Sequence, residues 1–383
     1  MSDANTILQS FGELCAAGVI LGVLYNLTAA ILVLRFPRPT ELARGSYPAV
    51  SILKPLHGNE PGLFWRLASF CRQDYPAAIQ LICGTQSESD PVIDLVTLLT
   101  TTQPSTQVDL KMDAREHGTN RKVSNLVNMQ AAARHEVVLI SDSDIVVEPR
   151  FLSNAISELQ APGVGGVSCA YFGIAAGGIW AKLSALYINT QFLPNVITAL
   201  SFDAARPCFG SAILMRRSML DRIGGLGTFA DELADDFAIG RAIRATGYRV
   251  SIPRFAVGHV CFEREFRSFW ERQMRSARTI RSIDPVGYVG TIFMHPFTLA
   301  LLAATIGMPH PALMIATAVA CRVVLCSCVE RAFGLPRQPY WLVPLHDLIS
   351  FAVFVTSFLG SAVVWRGHIY RVLADGALKQ DRS

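Results

Sequence analysis

Charge is scarce in this chain. Only 17% of its 383 residues are charged while 51% are hydrophobic, and mean hydropathy is positive, which is too apolar for an ordinary soluble enzyme. The net charge of +4 is too mild to argue for nucleic acid as a partner. Paired metal-ligand spacing is missing as well: the nine cysteines are an odd number, scattered, and Cys326-x-Cys328 lies in an apolar stretch with Cys321 and has no His or further Cys nearby. Free thiols, no disulfide and no zinc are therefore expected. No internal repeat or low-complexity tract is present, and no small-residue cleavage site of the signal-peptide kind follows the first apolar run.

What remains is an apolar excess that membrane segments must account for. Residues 15–34, CAAGVILGVLYNLTAAILVL, are uncharged over the length that spans a bilayer, and we read them as an uncleaved anchor. Asp3 and Glu13 precede it while Arg35, Arg38 and Arg44 follow, so the Lys/Arg rule places the middle of the chain in the cytoplasm. Further apolar segments fall near 289–308, 312–328 and 348–365, the first two separated by Pro309-His310-Pro311. Four spans in all would put Arg366, Arg371 and Lys379 on the wrong side for that rule, which makes one of the last segments a candidate for a re-entrant or interfacial piece.

Between these segments the polarity is normal and the pattern changes. After a linker marked by Pro37, Pro39, Gly45 and Pro48, strands are expected at 49–56, 79–84, 108–112, 137–140, 164–172 and 212–215. Helices are expected at 59–72, 92–100, 122–133, 151–159, 178–192, 218–223 and from the acidic cluster at 231 to 246. Such alternation argues an α/β domain with a mostly parallel sheet. The run Val137-Val138-Leu139-Ile140 is apolar on both faces and ends in Ser141-Asp142-Ser143-Asp144, where sheets of this kind place ligands, just past the carboxyl ends of their strands.

Two carboxylates at i, i+2 suit a hard divalent cation that shares its coordination with substrate phosphates. The same triplet also arises as a plain acidic turn. Acidic residues at the start of the 231–246 helix have a structural reading as well, as caps that favour the helix dipole, and we accept it for Asp231 but not for Asp236. Residues 262–283, FEREFRSFWERQMRSARTIRSI, place Arg272, Arg275, Arg278 and Arg281 three apart among aromatics. This basic amphipathic helix reads either as a solvated face or as a helix in the membrane interface with some arginines turned toward phosphate.

Taken in order, SILKPLHG at 51–58, HGTNRKVSNL at 117–126, ISDSDI at 140–145, CFGSAILMRR at 208–217, LADDFAIG at 233–240 and RTIRSIDPVGY at 278–288 resemble the family 2 and family 21 glycosyltransferases. More narrowly the chain is similar to the ceramide glucosyltransferase group, and within it to the bacterial hopanoid-biosynthesis glycosyltransferases. The resemblance implies a GT-A (nucleotide-diphospho-sugar transferase) catalytic domain with N-terminal and C-terminal transmembrane helices. It divides the chain into a tail at 1–14, an anchor at 15–36, a cytoplasmic catalytic domain at 46–262, an interfacial helix at 263–285 and a C-terminal membrane region at 286–383 with two or three apolar segments.

By position, the resemblance implies that Asp90 faces the nucleotide base and ribose and that Asp142 and Asp144 hold the metal, Mg2+ or Mn2+, and the diphosphate. It makes Asp236 the general base and Arg275 a catalytic partner of the pyrophosphate. Lys54, Pro55, His117, Lys122 and Arg272 fall on the nucleotide-sugar side; for Lys54, His117 and Lys122 a surface or capping role reads equally well. Ser276 stands where the family signature carries Trp, which alters the wall at the acceptor end. The implied activity is inverting transfer from a UDP-sugar to a membrane lipid hydroxyl at the cytoplasmic face of a bacterial inner membrane. The narrower resemblance suggests N-acetylglucosamine onto bacteriohopanetetrol, with a ceramide or diacylglycerol glucosyltransferase as the alternative. A non-enzymatic lipid-binding protein is a third reading, and a processive polysaccharide synthase is set aside because the tail is short for a channel.

Overall fold

The computed structural model describes residues 2–37, 46–365, 368–372 and 378–380. Arg38, Pro39, Arg44, Gly45 and Arg366, which entered the linker and orientation readings, lie outside the described residues. A long apolar helix, α1 (Ser2–Arg35), comes first. The α/β part then runs β1 (Val50–Pro55), α2 (Leu63–Cys71), β2 (Ile79–Thr85), α3 (Val92–Thr102), β3 (Gln107–Met112), α4 (Arg121–Gln130) and β4 (Val137–Ile140). It continues through β5 (Ile145–Val146), α5 (Phe151–Leu159), β6 (Val164–Ser168), β7 (Ala170–Ala175), α6 (Ile179–Tyr187), one π-turn (Ile188–Phe192) and α7 (Leu193–Ser201). Next come β8 (Ile213–Arg216), α8 (Arg217–Arg222), α9 (Asp235–Ala245), β9 (Arg249–Ser251), β10 (Ala256–Cys261) and α10 (Phe266–Ile283).

Seven strands form one sheet in the order β3-β2-β1-β4-β8-β6-β9. β8 runs antiparallel to both β4 and β6, and the other pairings are parallel, so the mostly parallel sheet read from the alternation is found. Its strands are apolar on both faces because helices cover both. Ile52 and Leu139 pack with Leu67, Phe70 and Ile156 on one side; Leu53, Val138 and Ile140 pack with Leu126, Met129 and Ile239 on the other. At Gly84 a Cβ would stand 2.1 Å from Met129 Sδ and 2.5 Å from Asn125 Oδ1, so the closeness of α4 to the sheet requires glycine.

The single strand expected over 164–172 is two strands in two sheets. β6 pairs with β8 as far as Ser168; Cys169 N–H then donates to the Ala212 carbonyl and Ser211 Oγ to the Cys169 carbonyl. These bonds turn the chain, and β7 joins a second sheet in the order β5-β10-β7. That sheet seats the acidic tip, since Val260 N–H donates to the Asp144 carbonyl at 2.8 Å. Neither β5, β9 nor β10 was legible as a strand, being short or carrying glycine and histidine.

The helix expected at 178–192 also continues further, through the π-turn into α7. Pro194 has no N–H with which to reach the Thr190 carbonyl one turn back. Arg322 does so instead, its Nη1 donating to that oxygen at 2.8 Å and its Nη2 to Thr190 Oγ1 at 3.0 Å. The membrane region follows as α11 (Pro285–Gly290), α12 (Pro296–Thr305), α13 (Pro311–Phe333) and α14 (Val343–Ser357), then the short strands β11 (Ala362–Trp365), β12 (His368–Val372) and β13 (Leu378–Gln380).

Among the described residues, three helices are long and apolar enough to cross a membrane: Asn5–Arg35, Pro311–Phe333 and Tyr340–Ser357. The segment expected as one span over 289–308 is bent by 68° ahead of Pro296, making it a broken span or a re-entrant piece. The segment expected at 348–365 is shifted toward the N-terminus, because residues 362–365 pair with β12 rather than continuing the helix. α1 packs through Ala29 and Val33 on Leu193, Ile197 and Val329, and through Cys15 and Val19 on Leu299 and Ala303. The membrane helices are thereby joined to the domain along its length.

Gly84→Ala is expected to lower stability by about 1–3 kcal/mol through overpacking, read as a lower thermal midpoint of the detergent-solubilised protein. An unchanged midpoint would mean that α4 moves off the sheet at no cost.

Candidate active site

The carboxyl ends of β1 and β4, the start of α9, the turn before β8 and one face of α10 surround a cavity of about 630 Å³. Of the residues singled out from the sequence, Pro55, Lys122, Asp142, Asp144, Asp236, Arg272 and Arg275 line it, together with Ser276. Lys54 lies beneath. Its side chain is fully buried, stacked over the Phe70 ring with Nζ donating to Ser141 Oγ at 3.0 Å and to the Asp142 carbonyl at 2.7 Å. Burial pushes its pKa down to about 7 against the pull of Asp142 and Asp144. Lys54 thus supports the acidic tip from below.

Lys122 joins two acidic segments that are distant in sequence. Asn120 caps α4, accepting from Val123 N–H at 3.1 Å while its Nδ2 donates to the Glu232 carbonyl at 2.8 Å. That cap directs Lys122 Nζ to Asp142 Oδ1 at 2.8 Å and Asp235 Oδ2 at 3.1 Å. Burial alone would lower its pKa, but Asp142, Asp235 and Asp236 hold it above the usual lysine range. A Cβ at Gly210 would come within 3.0 Å of Asp142 Oδ2 and 3.2 Å of Lys122 Nζ. Glycine there leaves the carboxylates open to the cavity.

Asp236 accepts from Gly210 N–H on Oδ2 and from Phe237 N–H on Oδ1, both at 2.8 Å. Burial, then the neighbouring Asp235 charge, push its pKa up to about 6, opposed by Lys122. A carboxylate tuned in this way and facing a cavity is suited to general-base work near neutral pH.

The backbone of the acidic triplet is braced from both sides, since Arg66 Nε donates to the Ser143 carbonyl at 2.8 Å and Ser143 Oγ donates to Glu60 Oε1 at 2.9 Å. Asp144 Oδ2 lies 3.4 Å from His259 Nε2, whereas Oδ1 is buried with no hydrogen-bond partner. Arg272 bonds both His259 Nε2 and Glu263 Oε1. Burial and then the Arg272 guanidinium hold the His259 imidazole well below its ordinary pKa, so it stands neutral beside Asp144.

Among the described residues no three His, Cys, Asp or Glu side chains form a cage for a metal ion. Two carboxylates with one unpartnered oxygen instead fit a hard cation that completes its coordination on phosphate oxygens.

Two predicted residues are placed elsewhere. Asp90 is buried and accepts from Gly58 N–H, Val92 N–H and Thr85 Oγ1, each at about 3.0 Å, which ties the end of β1 to the start of α3. His117 is exposed and its ring bonds Asn128 Oδ1 at 2.8 Å. Neither lines the cavity. Asp231 does not cap α9; it accepts from Thr119 N–H and Oγ1 and so ties down the loop before α4.

The sequence reading gave no role to Asp235, His259 or Glu263. Asp235 adjoins the chosen base in LADD. The other two sit in FAVGHVCFERE, where one histidine in an apolar run gives no spacing signal.

A sequence model of Glycosyl transferase family 21 matches residues 14–378. Ceramide glucosyltransferase 1 of Caenorhabditis elegans is 28% identical over 206 residues, 54% of this chain and 44% of that protein. The ceramide glucosyltransferase of Komagataella phaffii is 31% identical over 193 residues, 45% of this chain and 38% of that protein. The matched stretch is thus less than half the length of either relative. Among solved structures, the mannosyltransferase PcManGT from Pyrobaculum calidifontis, in complex with GDP-Man and Mn2+, superposes with a TM-score of 0.52 at 21% identity, covering 92% of this chain and 99% of that one. At that identity the likeness carries the fold, which is of the GT-A type with added membrane helices.

Lys122→Met leaves Asp142 and Asp235 without their shared cation. It is expected to cost roughly 3 kcal/mol, as removal of one partner of a buried ion pair does, measured by denaturant unfolding in detergent. Stability equal to the parent would show that the two acidic segments are held together by other contacts.

Proposed function

The chain belongs to glycosyl transferase family 21, and from that premise we propose that it moves a sugar, with inversion, from a UDP-sugar to the hydroxyl of a membrane lipid. It is a glycosyltransferase; donor and acceptor are our reading. The observation that carries it is one cavity lined by a base of raised pKa, a pair of carboxylates suited to a cation, and two arginines of α10, the helix that leads directly into the membrane region.

In the proposed reaction the acceptor O–H gives its proton to Asp236 as its oxygen attacks the anomeric carbon. The bond from that carbon to the diphosphate breaks, and the electron pair leaves with the diphosphate. Backbone N–H groups of Gly210 and Phe237 hold the Asp236 carboxylate in place. Arg275 and Arg272 supply positive charge toward the leaving group. Asp144, with Asp142, would hold Mg2+ or Mn2+; a hard cation bound there supplies neutralisation of the developing diphosphate charge. That PcManGT was solved with GDP-Man and Mn2+ supports a metal-assisted nucleotide-sugar site here.

The curated relatives are ceramide glucosyltransferases, so glucose onto a ceramide-type hydroxyl is the pair we put first. N-acetylglucosamine onto bacteriohopanetetrol is the second reading. It is favoured by Ser276, which lines the cavity where a tryptophan would narrow it and so leaves room for a bulkier acceptor. We place the protein in a bacterial cytoplasmic membrane with the α/β part on the cytoplasmic side, on the arginine-rich flank that follows α1.

Membranes containing the chain are to be offered UDP-glucose or UDP-N-acetylglucosamine with ceramide, diacylglycerol or bacteriohopanetetrol, in Mg2+, Mn2+ or EDTA, and the lipids weighed by mass spectrometry. A metal-dependent mass gain identifies the pair; no gain with any of them refutes the lipid-transfer reading. Asp236→Asn is expected to lower turnover about a thousandfold, within the range for loss of a general base, while UDP-sugar still binds. The base works ionised, so the parent rate should fall as pH drops through about 6; an acid limb near pH 4 would overturn the assignment. Asp144→Ala should remove the metal dependence of UDP binding measured by calorimetry, and retention of that dependence would reject its ligand role.

A further inference from the structure

A smaller cavity of about 70 Å³ lies beside the first. The two share Tyr187, Phe192 and Ile280 as walls, and the rest of the smaller one is built from the membrane region and from Gln191, Asn195, Gln273 and Ala277. Asn195 is exposed, but Gln191 and Gln273 are buried, and a polar side chain is costly to bury unless something pairs with it. Gln191 is 6% exposed, yet its Nε2 has no hydrogen-bond partner. The π-turn carries Gln191, and turns of this kind recur at functional sites because they re-aim side chains within an otherwise regular helix.

Size narrows what such a chamber takes. Drug-sized ligands need several hundred Å³, so neither a sugar nor a ring system fits, whereas one small polar group does. We propose that this chamber is the acceptor subsite for the polar linkage beside the reacting hydroxyl, with Gln191 Nε2 donating to a carbonyl oxygen of the lipid. The reacting hydroxyl then lies across Phe192 and Ile280, on the Asp236 side. Gln191 is thereby a specificity-determining residue that prefers an N-acyl lipid. The inference rests on the lipid-acceptor reading given above.

The test compares an N-acyl sphingoid acceptor with its N-alkyl counterpart, which lacks only the carbonyl, in the parent and in Gln191→Met, a variant of similar volume. The parent is expected to show a lower KM for the N-acyl lipid. Gln191→Met should raise that KM about three- to tenfold, as loss of one neutral hydrogen bond does, and leave the N-alkyl KM and the UDP-sugar KM unchanged. A merely structural role would move all three together and would overturn the proposal. Equal use of both lipids by the parent overturns it without help from the variant, as does transfer confined to a polyol lipid with no carbonyl, and in both cases the glycolipid reading survives. No transfer to any lipid removes that reading and the inference with it.

Discussion

A single ammonium group holds the site in register. Lys122 lies between Asp142, at the end of a central strand, and Asp235, at the start of a helix nearly a hundred residues later. Without a cation between them, the half-exposed Asp142 and the buried Asp235 would face each other as like charges. With it, Asp142 and Asp236 both line the cavity, the latter one residue beyond Asp235. Burial and then the Asp235 charge raise the pKa of Asp236, the proposed base, and Lys122 opposes them. The polar half of the site is one charge-balanced unit, assembled from segments that the sheet order brings together.

Much of this was legible in the sequence, because the signals were local. A doubly buried strand ending in alternating carboxylates announces the tip of a parallel sheet, and β4 with Asp142 and Asp144 was found from residues alone. Local patterns likewise recovered β1, β2 and α5, whereas α9 begins at Asp235, four residues after the start expected at 231. Where the reading failed, the cause was not local. The strand from Val164 splits at Cys169 because bonds from Ser211 and to Ala212 turn it, and the helix passes Pro194 because an arginine over a hundred residues away takes up the freed carbonyl. Asp90 shows a limit of another kind: the sequence marks an acidic residue before a helix, but not that it satisfies three donors of its own fold.

The cavity joins two kinds of surface. One side carries carboxylates and arginines suited to a phosphorylated donor; the other leads toward aromatic and apolar residues of α10 and the membrane helices. Arg278 and Arg281 of α10 face neither side. They bond the carbonyls of Ala362 and Gly360, so the amphipathic helix is neither a simply solvated face nor only an interfacial one. Leu233, just ahead of the base, packs on Val363 and Tyr370, and the C-terminal strands therefore buttress the acidic segment as well.

The bond from Arg322 to the Thr190 carbonyl bears on where this protein can be divided. The sequence suggests a catalytic domain ending at 262, yet a piece cut there would lose both arginines of the site. It would also lose Arg322, the membrane-helix residue that donates to the Thr190 carbonyl. The membrane segments thus supply packing and a hydrogen bond to the α/β part, which makes them an internal component of the fold and more than a tether.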